Sequence, residues 1–188
     1  MKYFLKDNSY SMFKMFVNQL GMTVFGLTLS FPTSQNDTLF TLVSIFAICF
    51  YMVLLYFMTW DIGNEERIRI EGNRMKFMKL KGLYLSLGAN IPNFILAILI
   101  TIGYFGASSY VKGAPASPEW ALNLYGVPKI IAGLLNGMYG GVMKYFGNSP
   151  LPYYLIIIPS LLTCTVAYIM GVKGKRVFPP AKNEQSRE

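Results

Sequence analysis

Histidine is absent from the 188 residues. That excludes Ser-His triads, Cys-His dyads, His-ligated zinc and haem, and HExxH metalloproteases, each of which needs an imidazole to move a proton or bind a metal. The neighbouring acids Glu65-Glu66 resemble the paired glutamates of some membrane proteases, but those enzymes also need histidines. Charge is scarce as well. Only 14% of residues are Asp, Glu, Lys or Arg, against roughly 25% in an average soluble domain. Cysteine is reduced to Cys49 and Cys164, each inside a long apolar run. Neither position suits a structural disulfide of an oxidising compartment, and both read as small apolar core residues. No Walker A loop and no glycine-rich dinucleotide fingerprint occurs, which argues against nucleotide hydrolysis within the chain.

What the sequence has in abundance is apolar length. Hydrophobic residues make up 53% of the chain and the mean hydropathy is +0.39. A bilayer core about 30 Å thick needs about 20 apolar residues at 1.5 Å per residue. Such a run must be helical, because lipid offers no partner to free backbone groups. Uncharged stretches run from Leu39 to Trp60, from Leu83 to Tyr104 and from Leu151 to Val172. A further stretch, Met15 to Phe31, is interrupted by Asn18 and Gln19 and preceded by Lys14, which can snorkel to the headgroups. Its rival reading is a signal peptide with Lys2, Lys6 and Lys14 as the basic region. Thr28-Leu29-Ser30 is a poor cleavage site, so a span is expected. Ile130 to Met143 is apolar but too short to cross comfortably, so a re-entrant or surface-lying helix is expected there.

Basic residues set the orientation. With four spans and the N-terminus inside, 14 of the 17 Lys and Arg residues lie on the cytoplasmic side. Only Lys112, Lys129 and Lys144 lie outside. Counting the 130–143 stretch as a fifth span would put the C-terminal basic residues outside and erase the bias. Trp60 at one face, and Trp120, Tyr125, Tyr153 and Tyr154 at the other, suit the aromatic belts of an interface. The sequence thus predicts an all-α membrane protein, a four-transmembrane-helix bundle with an additional short re-entrant or interfacial outer helix. Residues 1–172 form one transmembrane domain, with spans at about 12–31, 39–60, 83–105 and 151–172 and the short helix at about 129–146. The Gly- and Pro-rich segment 108–128 reads as an extended outer loop. Residues 173–188 read as a flexible, basic cytoplasmic tail, and the expected location is a cell membrane with both termini on the cytoplasmic side.

Three features carry candidate function. The cytoplasmic segment from Asp61 to Gly82 begins acidic and ends with Arg74, Lys76, Lys79 and Lys81 interleaved with Met75, Phe77, Met78 and Leu80. That pattern suits contact with anionic headgroups or with a partner. The third span contains Gly88-Ala89-Asn90-Ile91-Pro92-Asn93. Pro92 predicts a kink near Gly88 or Ala89. Asn90 and Asn93, three apart, predict a polar intramembrane patch facing the bundle interior. Pro159 and Ser160 predict a weaker irregularity in the last span. Gly133, Gly137 and Gly141, with Asn136 beside them, predict one close-packing helix face. No acid or base lies within the three uncharged runs, which weighs against proton pumps and voltage sensors.

Trp60-Asp-Ile-Gly, Arg67-x-Arg, Leu80-Lys-Gly-Leu running into Ala89-Asn-Ile-Pro-Asn-Phe, and the Tyr168 to Arg176 stretch resemble a group of small uncharacterised multi-span membrane proteins of Gram-positive bacteria. The resemblance covers about a third of the chain and implies a cell-membrane location without an activity. The functional expectation is a non-enzymatic integral membrane protein, an accessory or partner-binding subunit of a membrane complex. The alternative is a small-solute transporter or channel subunit. Expected partners are membrane lipids, with anionic headgroups at the cytoplasmic segment, and other membrane subunits, not nucleic acid. No catalytic residue, cofactor or metal is expected.

Overall fold

The computed structural model describes residues 2–110, 119–175 and 177. All regular structure among them is helical: α1 (Lys2–Thr33), α2 (Asp37–Glu71), α3 (Lys81–Ala89), α4 (Ile91–Tyr110), α5 (Glu119–Leu135), α6 (Gly140–Met143), α7 (Pro152–Leu155) and α8 (Ile157–Val172). Short 3-10 turns at Gly137–Tyr139 and Lys144–Phe146 flank α6.

A tight turn joins α1 to α2, and Asn36 sets where α2 begins. Its side chain accepts hydrogen bonds from the backbone N–H groups of Thr38 and Leu39, a cap contributing about 1 kcal/mol. At 35 residues α2 is about 52 Å long, well beyond the thickness of a hydrocarbon core. The excess, from Asp61 to Glu71, is the first half of the cytoplasmic segment expected beyond the 39–60 span, and it continues as helix. An Arg67–Glu71 pair at 3.5 Å laces one side of it. The helix ends at Gly72, followed by Asn73 with φ +54°.

Among the described residues two helical stretches, α2 and Pro152–Val172 (α7 with α8), are long and apolar enough to cross a membrane. A third span results if α3 and Ile91–Ala107 of α4, bent by 58°, are one crossing. The bend sits at Asn90, a residue past the position expected from Pro92, with Pro92 in the first turn of α4 where its missing N–H costs nothing. Pro159 acts likewise within the last span. Its ring cannot tolerate the carbonyl of Leu155, and the helix is interrupted at Ile156 between α7 and α8.

Hydrophobic side chains face outward in stripes. Ile91, Ile95, Ile98, Ile102 and Phe105 form one along α4, and Leu151, Leu155, Ile158, Leu162 and Val166 form another along the last span. Water would oppose such surfaces and lipid would not. Cys49 belongs to this exterior and not to the core; Cys164 alone is buried, and both are free thiols. The interior is rich in methionine, with Met12, Met15, Met22 and Met138 packed against Tyr51, Leu55 and Leu85. Unbranched thioethers fill the irregular space left by broken helices.

Glycines let α2 and α8 approach closely. A Cβ added to Gly171 would lie 2.3 Å from the Trp60 carbonyl oxygen, and one added to Gly63 would lie 2.5 Å from that of Tyr168. Gly82 of α3 meets α8 in the same way, at the Cys164 carbonyl. Both α2 and α3 therefore pack closely on the stretch of α8 from Cys164 to Gly171.

The segment between α4 and α8 departs from expectation. The helix expected at about 129–146 starts at Glu119 and stops at Leu135, so residues 119–128 are helical and not extended. Pro118-Glu119 is a helix-start signal, and Ala121, Leu124 and Pro128 turn inward one or two turns apart. Beyond Leu135 the helix breaks, so Gly133, Gly137 and Gly141 share no continuous helix face. Gly133 has open space, Gly137 meets Leu27, and Gly141 meets the Phe40 backbone and Ser44. Residues 111–118 and the tail from 178, with the loop and flexibility expected of them, lie outside the described residues.

Candidate functional site

Five polar residues of the bundle interior gather into an amide cluster built by four parts of the chain. Gln19 comes from α1, Asn90 and Asn93 from the α3/α4 break, and Asn136 from the break after α5. Ser160 of α8 completes it. All five are buried. Gln19, Asn93 and Asn136 close a ring. Gln19 Nε2 donates to Asn136 Oδ1 at 3.0 Å, Asn136 Nδ2 to Asn93 Oδ1 at 3.1 Å, and Asn93 Nδ2 to Gln19 Oε1 at 3.1 Å. Asn93 Nδ2 also donates to Asn90 Oδ1 at 2.9 Å. Asn90 Nδ2 in turn reaches the Ser86 carbonyl at 2.9 Å and Ser160 Oγ at 3.2 Å.

The cluster also repairs the backbone it interrupts. A helix end leaves carbonyls without partners, and α5 ends inside the bundle. Its last carbonyl, that of Leu135, accepts from Thr23 Oγ1 at 2.6 Å and Gln19 Nε2 at 3.4 Å. The Ala132 carbonyl accepts from Asn136 Nδ2 at 3.1 Å. Each amide nitrogen thus has at least two acceptors, as its two hydrogens require. Sequence reasoning singled out Asn90 and Asn93 but did not join Gln19 and Asn136 to them. The available signal was that all four are amides set in apolar runs.

A second polar group lies where α1, α2, α3 and α8 come together at the opposite end from the α1–α2 turn. The sequence reading grouped Lys81 with Arg74, Lys76 and Lys79 as a headgroup or partner contact; the structure separates it. Lys81 is only 4% exposed and is ion-paired to Glu66, itself 7% exposed. Tyr168 Oη donates to the other Glu66 oxygen at 2.6 Å. The physical reason is the extension of α2 to Glu71, which brings Glu66 over the start of α3, together with the glycine contacts that draw α8 close. Arg74, Lys76 and Lys79 remain exposed, beside exposed Phe77, Met78 and Leu80. Next to the ion pair lies a cavity of about 480 Å³, bordered by Asn8, Ser11, Glu65, Glu66, Arg69 and Lys81.

The two poles of the molecule are distinct. At one, Trp60 Nε1 donates to the Lys175 carbonyl at 2.8 Å, near the Glu66–Lys81 pair. At the other, Lys144 pairs with Asp37 at 2.7 Å, and Lys129 Nζ donates to Asn148 Oδ1 at 2.9 Å. Among the described residues no three Cys, Asp or Glu side chains converge as a metal ion would need.

These features define an all-helical protein with helices suited to a membrane and two buried polar clusters. No family model, no curated protein and no solved structure matches the chain.

Proposed function

We propose that this protein is a non-enzymatic, four-span integral membrane protein, an accessory or partner-binding subunit of a membrane complex with both termini in the cytoplasm. The observation that carries the reading is the closure of the amide cluster. Its donors and acceptors are spent on one another and on the ends of broken helices, which favours a fixed scaffold over a path for solutes. The four-span topology rests on the charge asymmetry and on α1. That helix is 32 residues long and packs beside α2 with Phe13, Val17, Val24 and Phe31 facing outward. The resemblance to small Gram-positive membrane proteins points to the same cell-membrane setting. Purification of the full chain in mild detergent tests the role. Stable co-purifying subunits are the expected result; a solitary homo-oligomer stabilised by a particular solute contradicts it.

That contrary result would support the second reading, a small-solute transporter or channel subunit. A specific observation favours it: two discontinuous helices, broken at Asn90 and after Leu135, meet at the amide cluster. Broken helices meeting deep in a bundle are a feature of transporter binding sites.

In the primary reading Arg74, Lys76 and Lys79 contact anionic headgroups, with Phe77 and Leu80 dipping into the leaflet. Replacing all three cations with Gln is expected to weaken the preference of the reconstituted protein for anionic over neutral lipid by about 3 kcal/mol at low salt, at about 1 kcal/mol per cation. Competition between labelled anionic and neutral lipids measures it. An unchanged preference in the triple variant would remove these residues from the contact.

A further inference from the structure

The cavity beside the Glu66–Lys81 pair has a built-in charge pattern. Its volume of about 480 Å³ falls within the roughly 300–1,000 Å³ of small-molecule sites. Lys81 and Glu66 neutralise each other at its wall, and Tyr168 holds the second Glu66 oxygen. Two further charges of opposite sign line it, Glu65 and Arg69. They stand four apart on α2 and so share a face, yet no ion pair joins them. Ser11 adds a hydroxyl, while Ile62, Met75 and Met78 supply an apolar side. The segment bordering the cavity, from Met75 to Lys81, carries the exposed Phe77 and Leu80. A ligand that matches this lining has one negative group, one positive group and an apolar continuation.

We propose that the cavity binds the phosphoethanolamine head group of an inner-leaflet phospholipid. The Arg69 guanidinium takes the phosphate, whose oxygens match its planar fork. The primary ammonium, with three N–H donors, is taken by the Glu65 carboxylate and the Ser11 hydroxyl. Ile62, Met75 and Met78 contact the glycerol region. The inference rests on the reading of this pole as cytoplasmic and membrane-bound, but not on the exposed contact of Arg74, Lys76 and Lys79.

The test is thermal unfolding of the full-length protein in detergent with added lipid. Phosphatidylethanolamine is expected to raise the unfolding midpoint. Phosphatidylcholine, which lacks ammonium N–H donors, and phosphatidylglycerol, which lacks the cation, are expected to act far less. Arg69→Gln and Glu65→Gln are each expected to weaken the apparent affinity about tenfold, the loss of one charge-assisted contact. Both residues are exposed, so folding should survive. Equal stabilisation by the three lipids overturns the proposal, as does an undiminished response in the Arg69→Gln, Glu65→Gln double variant. Stabilisation by free phosphoethanolamine without any by the lipid overturns the lipid source. A phosphatidylethanolamine response that persists when Arg74, Lys76 and Lys79 are all Gln separates this cavity from the leaflet contact, so that either reading can fail alone.

Discussion

Lys81→Met is expected to destabilise the protein by about 3–5 kcal/mol, the cost of leaving one partner of a buried ion pair uncompensated. Both groups are almost wholly buried, with side chains 5% and 9% exposed, so solvent screening does little to soften the loss. The partner substitution decides the interpretation. In Lys81→Met, Glu66→Met neither charge remains, and an apolar pair of similar volume is often neutral or better. The double variant is therefore expected to recover most of the loss, apart from the Tyr168 hydrogen bond. Unfolding in detergent, followed for wild type, both single variants and the double, measures the coupling. A single variant as stable as wild type would mean that Lys81 is solvated and belongs with Arg74, Lys76 and Lys79 after all.

The second large effect is expected at Asn136. Its amide donates to Asn93 and to the Ala132 carbonyl, and accepts from Gln19. Asn136→Leu removes three hydrogen bonds and strands partners that lipid cannot satisfy. Interhelical hydrogen bonds in membranes contribute about 0.6–2 kcal/mol each, so a loss of about 2–4 kcal/mol is expected. Asn93→Leu should behave similarly, because it also opens the ring, whereas Thr28→Val, at an exposed hydroxyl bonded only within its own helix, should be nearly silent. If Asn136→Leu and Asn93→Leu folded normally but altered solute flux, the cluster would be a pathway and the transporter reading would stand.

Much of the helical framework was legible because hydropathy and backbone chemistry are local. The uncharged runs at 39–60, 83–105 and 151–172, and the disruptions caused by Pro92 and Pro159, follow from residues within a turn or two. The misreadings share a different origin. Residues 119–128 hold Gly and Pro, which suggested an extended loop; the Pro118-Glu119 start and the apolar residues behind it were the stronger signal. Lys81 read as one more cation in a basic segment. Its burial depends on Glu66, 15 residues away, and Tyr168, a further 102 from Glu66, brought together by glycine contacts between α2, α3 and α8. The ring of Gln19, Asn93 and Asn136 spans separations of up to 117 residues. Each amide alone looks like a blemish in an apolar run. Only the three-dimensional arrangement turns them into a set that satisfies itself.

Everything proposed about lipid and partners depends on which pole faces the cytoplasm, and single-cysteine labelling of intact cells measures that most directly. With Cys49 and Cys164 replaced by Ala, Ser34→Cys and Asn148→Cys are expected to react with a membrane-impermeant maleimide, since both adjoin the pole marked by the Lys144–Asp37 pair. Asn73→Cys and Lys175→Cys, at the pole marked by Trp60 and the Glu66–Lys81 pair, are expected to react only after the membrane is permeabilised. Labelling of residues 73 and 175 in intact cells, with 34 and 148 protected, would invert the topology. Labelling of 34 and 175 alike would put an even number of crossings between them, where the four-span account has three, and would contradict it.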